Sequence, residues 1–160
     1  DYSKLISKIV TELNQIGANN NMTIIPFMNT IKQKSSARDF NGFFDLVAQA
    51  KNEIRKNNEL LVTTREDIAA LRKINDQSIK DESIRNQTSI LLVSGDTFVQ
   101  EFSDYFALLN ETLSGTIPTQ DLLNELAGQV TLLLKNGSSF QSELNALLTL
   151  MQQKNTTSTP

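Results

Sequence analysis

Apolar residues recur every three or four positions along most of the chain, which is the spacing of one face of an α-helix. The first such stretch runs from Leu5 to Ile16, and Gly17 with the asparagines at 19–21 predicts its end. A second helix is predicted to begin near Thr23. Pro26 then lies in its first turn, where the missing amide hydrogen costs no hydrogen bond.

The middle of the chain carries two longer periodic stretches. The first predicts one helix from about Asp39 to Ile74, with a break near Thr63-Thr64 as the alternative, and polar residues 73–82 predict the turn that follows. The second stretch runs from Ile84 to Leu113 and ends in a turn over residues 114–118. Gly95 lies inside it and indicates a kink or the close approach of a neighbouring helix.

The C-terminal part of the chain predicts two more helices. Thr119 is a suitable N-cap for the first, which Asn136-Gly137 is expected to end. Ser138 and Gln141 have the spacing of a capping box for the second, whose inward-facing positions reach Met151. We therefore expect a single helical-bundle domain over residues 1–154, followed at 155–160 by a disordered tail or the start of a linker.

No stretch alternates between apolar and polar residues long enough to predict a strand, and glycine and proline are scarce, at six and three residues. The predicted fold is all-α, an antiparallel bundle of five to six helices. Several helices have wide apolar faces, which leaves open whether the bundle closes completely or encloses an apolar cavity.

The composition narrows the chemistry. The 160 residues include no Cys and no His, which removes the usual zinc, copper and haem ligands and the common nucleophile–base arrangements. Asp and Glu are scattered along helix surfaces, without a calcium loop or a phosphate-binding glycine turn. We therefore expect no enzyme activity, no catalytic residue, no metal and no cofactor.

The charges and the apolar runs bear on partners. The net charge is −3 and basic residues are interleaved with acidic ones, which disfavours a nucleic-acid partner. The longest apolar runs are far shorter than the roughly 20 residues of a transmembrane helix, so no membrane span is expected. No leader-like segment opens the chain, so a signal peptide is either absent or already removed.

The sequence contains five N-x-[ST] triplets, the acceptor motif for N-glycosylation. Composition alone would produce some of them by chance. Three fall in predicted turns or in the tail, which favours a secreted or cell-surface protein, with a cytoplasmic location still open. The predicted acceptors are Asn21, Asn86, Asn110, Asn136 and Asn155.

Two functional hypotheses follow from wide apolar faces without catalytic groups. The first is a binding protein that holds a fatty acid, another lipid or a hydrophobic surface in the interior of the bundle. The alternative is a protein–protein interaction module without a small-molecule ligand, in which the long segments 39–74 and 84–113 present an elongated surface. For the first hypothesis the predicted cavity wall consists of Phe27, Met28, Phe40, Phe43, Phe44, Phe98, Phe102 and Phe106.

Overall fold

A computed structural model describes residues 1–115 and 120–157. The helices are α1 (Tyr2–Asn19), a π-helix (Asn20–Ile24), α2 (Ile25–Ser36), α3 (Phe43–Ser78), α4 (Glu82–Ser114) and α5 (Gln120–Thr157). The prediction of an all-α fold is confirmed, and no strand occurs in these two ranges. The helix number differs from the predicted five to six. Because α1, the π-helix and α2 run on without a break, the described residues form four helical rods.

The first rod does not end where the sequence predicts. Gly17 and Asn19 stay helical, and the backbone passes into a π-helix in which the Ile25 N–H donates to the Asn20 carbonyl five residues earlier. Pro26, in the first turn of α2, has no N–H to offer the preceding turn, so a locally wider helix lets the chain continue past it. The predicted interruption is therefore a widened helical turn.

A short turn connects α2 to α3. Arg38 and Gly42 adopt left-handed backbone angles, with φ of 52° and 65°. The Asp39 carboxylate accepts from the Asn41 N–H at 3.1 Å and pairs with Lys34 at 3.1 Å, so Asp39 stabilises the turn. The third helix consequently begins at Phe43, four residues after the predicted start.

The long helix α3 is unbroken, and the alternative of a break near Thr63-Thr64 is wrong. The Thr64 hydroxyl is buried and donates to the Leu60 carbonyl at 2.8 Å, which satisfies it within the helix. One buried seam with steps of four and three residues extends along α3, as in a coiled coil. It comprises Ala50, Ile54, Asn57, Leu61, Thr64, Ile68, Leu71 and Asn75.

The turn between α3 and α4 is shorter than predicted, because α3 continues through Asn75 to Ser78. The Asn75 amide donates to the Arg85 carbonyl at 3.0 Å and to the Ser89 hydroxyl at 3.1 Å, and so links the two helices across the turn. The Asp81 carboxylate caps α4 by accepting from the Ile84 N–H at 3.1 Å.

The C-terminal region is one helix, so the prediction that a helix ends at Asn136-Gly137 is wrong. A Cβ atom on Gly137 would lie 3.1 Å from Cζ of Phe98, which shows that this glycine lets α4 and α5 approach each other. The expectation for Gly95 is confirmed as a close approach, with Ile68 and Phe140 at 3.4 and 3.5 Å from a built Cβ. The predicted Thr119 cap lies outside the described residues, and α5 includes the first three positions of the predicted tail.

Cross-helix contacts give the topology. Lys8 pairs with Asp67, Arg72 with Asp96, and Gln87 with Glu143, so that successive rods run antiparallel. The first rod packs against α3, α3 packs against α4, and α4 packs against α5. Buried Ile and Leu side chains from α1, α3 and α4 meet along the core, and Phe140, Leu144 and Leu147 of α5 join it.

Candidate binding site

The interior of the bundle has little free space where its four rods meet. An apolar cavity of about 10 Å³ lies there, lined by residues that include Ile6, Ile68, Leu91 and Phe140. A volume of this size holds about one water molecule, whereas a drug-sized ligand occupies roughly 300–1,000 Å³. The central cavity therefore has no room for a fatty acid unless the helices separate.

None of the eight residues predicted to form a cavity wall lines this space. Phe98, Phe102 and Phe106 stack in succession along α4, with ring centroids 4.7 and 5.9 Å apart. Phe27 and Met28 are half-buried on α2. The predicted set is therefore distributed over different parts of the fold.

The remaining three wall residues form an aromatic corner at the start of α3. Phe43 makes edge-to-face contacts with both Phe40 and Phe44, at centroid distances of 5.7 and 5.6 Å. Phe40 is 59% exposed and Phe44 is 76% exposed, so this corner faces solvent.

The largest described concave surface is a groove between the first rod and α3. Its volume is about 630 Å³, within the usual range for ligand pockets. It lies beside the π-helix, and π-helical turns are frequent at functional sites. Its lining residues are Gln15, Ala18, Asn19, Met22, Thr23, Glu53, Lys56, Asn57, Glu59, Leu60 and Thr63.

A network of amide side chains forms the inner side of this groove. The Asn19 amide donates to the Asn57 carbonyl oxygen at 3.0 Å and to a Glu53 carboxylate oxygen at 3.4 Å. Lys56 donates to the other Glu53 oxygen at 3.1 Å. The network joins the end of α1 to the middle of α3 and leaves charges of both signs at the edge of the groove.

Two amide atoms in this region have no hydrogen-bond partner. Asn57 is 3% exposed and its Nδ2 is unpaired, while Asn20 is 8% exposed and its Oδ1 is unpaired. The Asn20 side chain also hydrogen-bonds to the Tyr105 hydroxyl, and burial raises the pKa of that phenol. A buried amide atom without a partner costs about 1–3 kcal/mol, so both atoms mark positions where a bound group would be stabilised.

A second polar cluster lies between α1 and α3, outside the groove. Lys8 Nζ is 2.7 Å from an Asp67 oxygen and 3.7 Å from a Glu12 oxygen. Burial raises the pKa of Glu12, and its hydrogen bond with Asp67 raises the pKa further. In the described ranges, no group of three or more acidic side chains is arranged to hold a metal ion.

The five acceptor sequons all lie in helical segments, including the three predicted in turns or the tail. Asn21 is in the π-helix, Asn136 is in the middle of α5, and Asn155 is in its last turn. Asn21, Asn86 and Asn155 are exposed, whereas Asn110 and Asn136 are half-buried. Their glycosylation stays a prediction.

Comparison with protein-family models, with curated proteins and with solved structures finds no match to the chain. The functional argument therefore depends on the groove and on the exposed surfaces of the helices. In the described part of the chain, none of the helices combines the length and apolar character needed to cross a membrane.

The sequence did not predict the groove, because its two sides are distant along the chain. Asn19 and Asn57 are 38 positions apart. One signal was present, since Asn57 occupies a seam position of α3 between Ile54 and Leu61. A polar residue at such a position costs stability, and its presence calls for a structural or a binding role.

Proposed function

We propose that the protein is a non-enzymatic protein–protein interaction module, which binds a peptide segment of a partner protein in the groove beside the π-helix. The observation that carries the proposal is the pair of unpaired buried amide atoms, Nδ2 of Asn57 and Oδ1 of Asn20, next to a groove of about 630 Å³. One is a donor and the other an acceptor. A peptide group offers the complementary carbonyl and N–H.

The edge of the groove suits the same kind of ligand. Met22 is 78% exposed, and flexible Met side chains are common on surfaces that accommodate different peptides. Leu60 adds an apolar contact on the α3 side, while Glu53, Lys56 and Glu59 provide charges of both signs for polar side chains. A fatty acid would leave most of these polar groups without partners, so the groove favours a peptide over a lipid.

Selection from a random peptide library displayed on phage tests the proposal directly. The wild-type protein is the bait, and the variant Met22→Asp is used for counter-selection, because this exposed side chain can be changed without disturbing the core. We expect selected peptides to bind the wild type with micromolar dissociation constants. Met22→Asp should weaken them at least tenfold, as measured by isothermal titration calorimetry.

Val62→Asp is the matched control, since Val62 is an exposed apolar residue on the same helix as Leu60 but outside the groove. It should change peptide affinity by less than twofold. Failure to enrich any peptide, or equal binding by the Met22→Asp variant, would refute the proposal. Stoichiometric uptake of a fluorescent fatty acid, unaffected by Met22→Asp, would instead support an internal lipid.

The proposal includes secretion or display at the cell surface, supported by five sequons of which three have exposed acceptors. Treatment of the protein from its native source with an N-glycosidase should lower its mass. An unchanged mass would remove this support for secretion and leave the groove unaffected.

A further inference from the structure

The helix α5 has an exposed apolar stripe in addition to the face it packs on α4. Leu123, Val130 and Leu148 are each 40–43% exposed, and Leu134 is 72% exposed. With Ala127, these residues follow steps of three or four, or multiples of them, and so share one side of the helix. Leaving large apolar side chains in water at this spacing is typical of a surface that another helix covers.

The same side of α5 carries no charge. At about 100° per residue, the charged residues of α5 fall together on roughly one third of its circumference, away from the stripe. They are Asp121, Glu125, Lys135, Glu143 and Lys154. Exposed polar residues on the stripe side, such as Gln141 and Asn145, are neutral and hydrogen-bond to each other at 3.0 Å. Depletion of charge is characteristic of the centre of protein interfaces.

The stripe is complementary to itself when a second copy runs antiparallel. A two-fold axis between positions 135 and 136 places Leu134 of one copy against position 137 of the other, which is a glycine. The most exposed leucine of the stripe thus meets a residue without a side chain. The same register brings Val130 opposite Gln141, and Leu123 opposite Leu148, so that both ends of the contact are apolar.

We propose that α5 pairs with α5 of a second copy of this chain, antiparallel about that axis. A neutral face suits self-pairing because no like charges oppose each other across the axis. The contact extends from Leu123 to Leu148, about 38 Å at 1.5 Å per residue. One helix per copy gives an area near the lower end for stable complexes, so dissociation falls in the micromolar range.

This inference is independent of the peptide groove and is tested by the oligomeric state. Sedimentation of the wild-type chain from low micromolar to millimolar concentration should show a reversible monomer–dimer equilibrium. Leu134→Asp should weaken dimerisation at least tenfold. Val93→Asp is the matched control, because Val93 is 65% exposed on α4 and outside the stripe, and it should leave the equilibrium unchanged. A monomeric wild type, or a dimer insensitive to Leu134→Asp, would overturn the proposal.

The absence of cysteine allows disulfide trapping to test the register. A mixture of the variants Leu123→Cys and Leu148→Cys should form a mixed disulfide on mild oxidation, since the antiparallel register places these positions opposite each other. Leu123→Cys alone should give little covalent dimer. Efficient self-crosslinking of Leu123→Cys would indicate parallel pairing and overturn the antiparallel arrangement.

Discussion

Substitution of Gly137 by alanine gives a sensitive test of the packing between α4 and α5. The new Cβ atom would lie 3.1 Å from Cζ and 3.4 Å from Cε1 of Phe98. That ring cannot move away easily, because its centroid is 4.7 Å from Phe102 and 6.2 Å from Phe140. Inserting a methyl group into a packed contact costs about 1–3 kcal/mol. Replacing a helical glycine by alanine returns about 1 kcal/mol.

We therefore expect Gly137→Ala to range from neutral to about 2 kcal/mol destabilising. Gly128 is the matched control, since it lies in the same helix and a Cβ there would have no neighbour within 4 Å. Gly128→Ala should raise the free energy of unfolding by about 0.5–1 kcal/mol. Gly95→Ala should fall between the two, because its built Cβ meets Ile68 and Phe140 at near-normal contact distances.

Urea denaturation followed by helical circular dichroism measures these differences, and a double-mutant cycle with Phe98→Leu identifies their cause. With the ring removed, Gly137→Ala should become stabilising, as Gly128→Ala is, which gives a coupling energy of about 1 kcal/mol or more. Additivity within about 0.5 kcal/mol would show that Phe98 does not restrict position 137, and the reasoning would fail.

Three further substitutions test the polar contacts. Glu12→Gln should stabilise the fold by about 1 kcal/mol at pH 7, because it removes a buried carboxylate oxygen without a partner. Since the folded pKa of Glu12 is raised, its ionisation destabilises the native state as pH rises, and the gain should vanish below pH 4. Asn75→Ala should cost about 2 kcal/mol in chemical denaturation, through loss of its bonds to Arg85 and Ser89. The pKa of Asp81 is lowered by the Ile84 N–H, so Asp81→Ala should lower the melting temperature at pH 7 but not near pH 2.

Periodicity predicted the helical class and the long helices, but local signals misplaced two of the ends. Asn136-Gly137 has the composition of a helix terminus, yet the glycine is required by Phe98, which lies about 40 positions earlier in the chain. The asparagines at 19–21 likewise resemble a stop signal, although the backbone continues there as a π-helix. Composition near a helix end does not distinguish a terminus from a contact with a distant residue.

The surfaces depend even more on distant contacts. Leu123 and Leu134 belong to leucine-rich segments that the sequence suggested are central helices buried on two sides. The structure packs α5 against α4 and leaves one apolar side of α5 exposed. Which side of a wide apolar face is covered depends on the arrangement of the other rods, and that information is not local to α5.

The groove and the stripe use different helices, and this separation has a functional consequence. The groove is formed by the first rod and α3, whereas the stripe is on α5, which packs against α4. Pairing through α5 would therefore leave one open groove on each copy, and the dimer would present two peptide sites. Leu134→Asp should leave the affinity for a single soluble peptide unchanged. The same substitution should weaken capture by a surface densely coated with that peptide, where two linked grooves increase the effective affinity. A change in the affinity for the single peptide would show that the two surfaces are not independent.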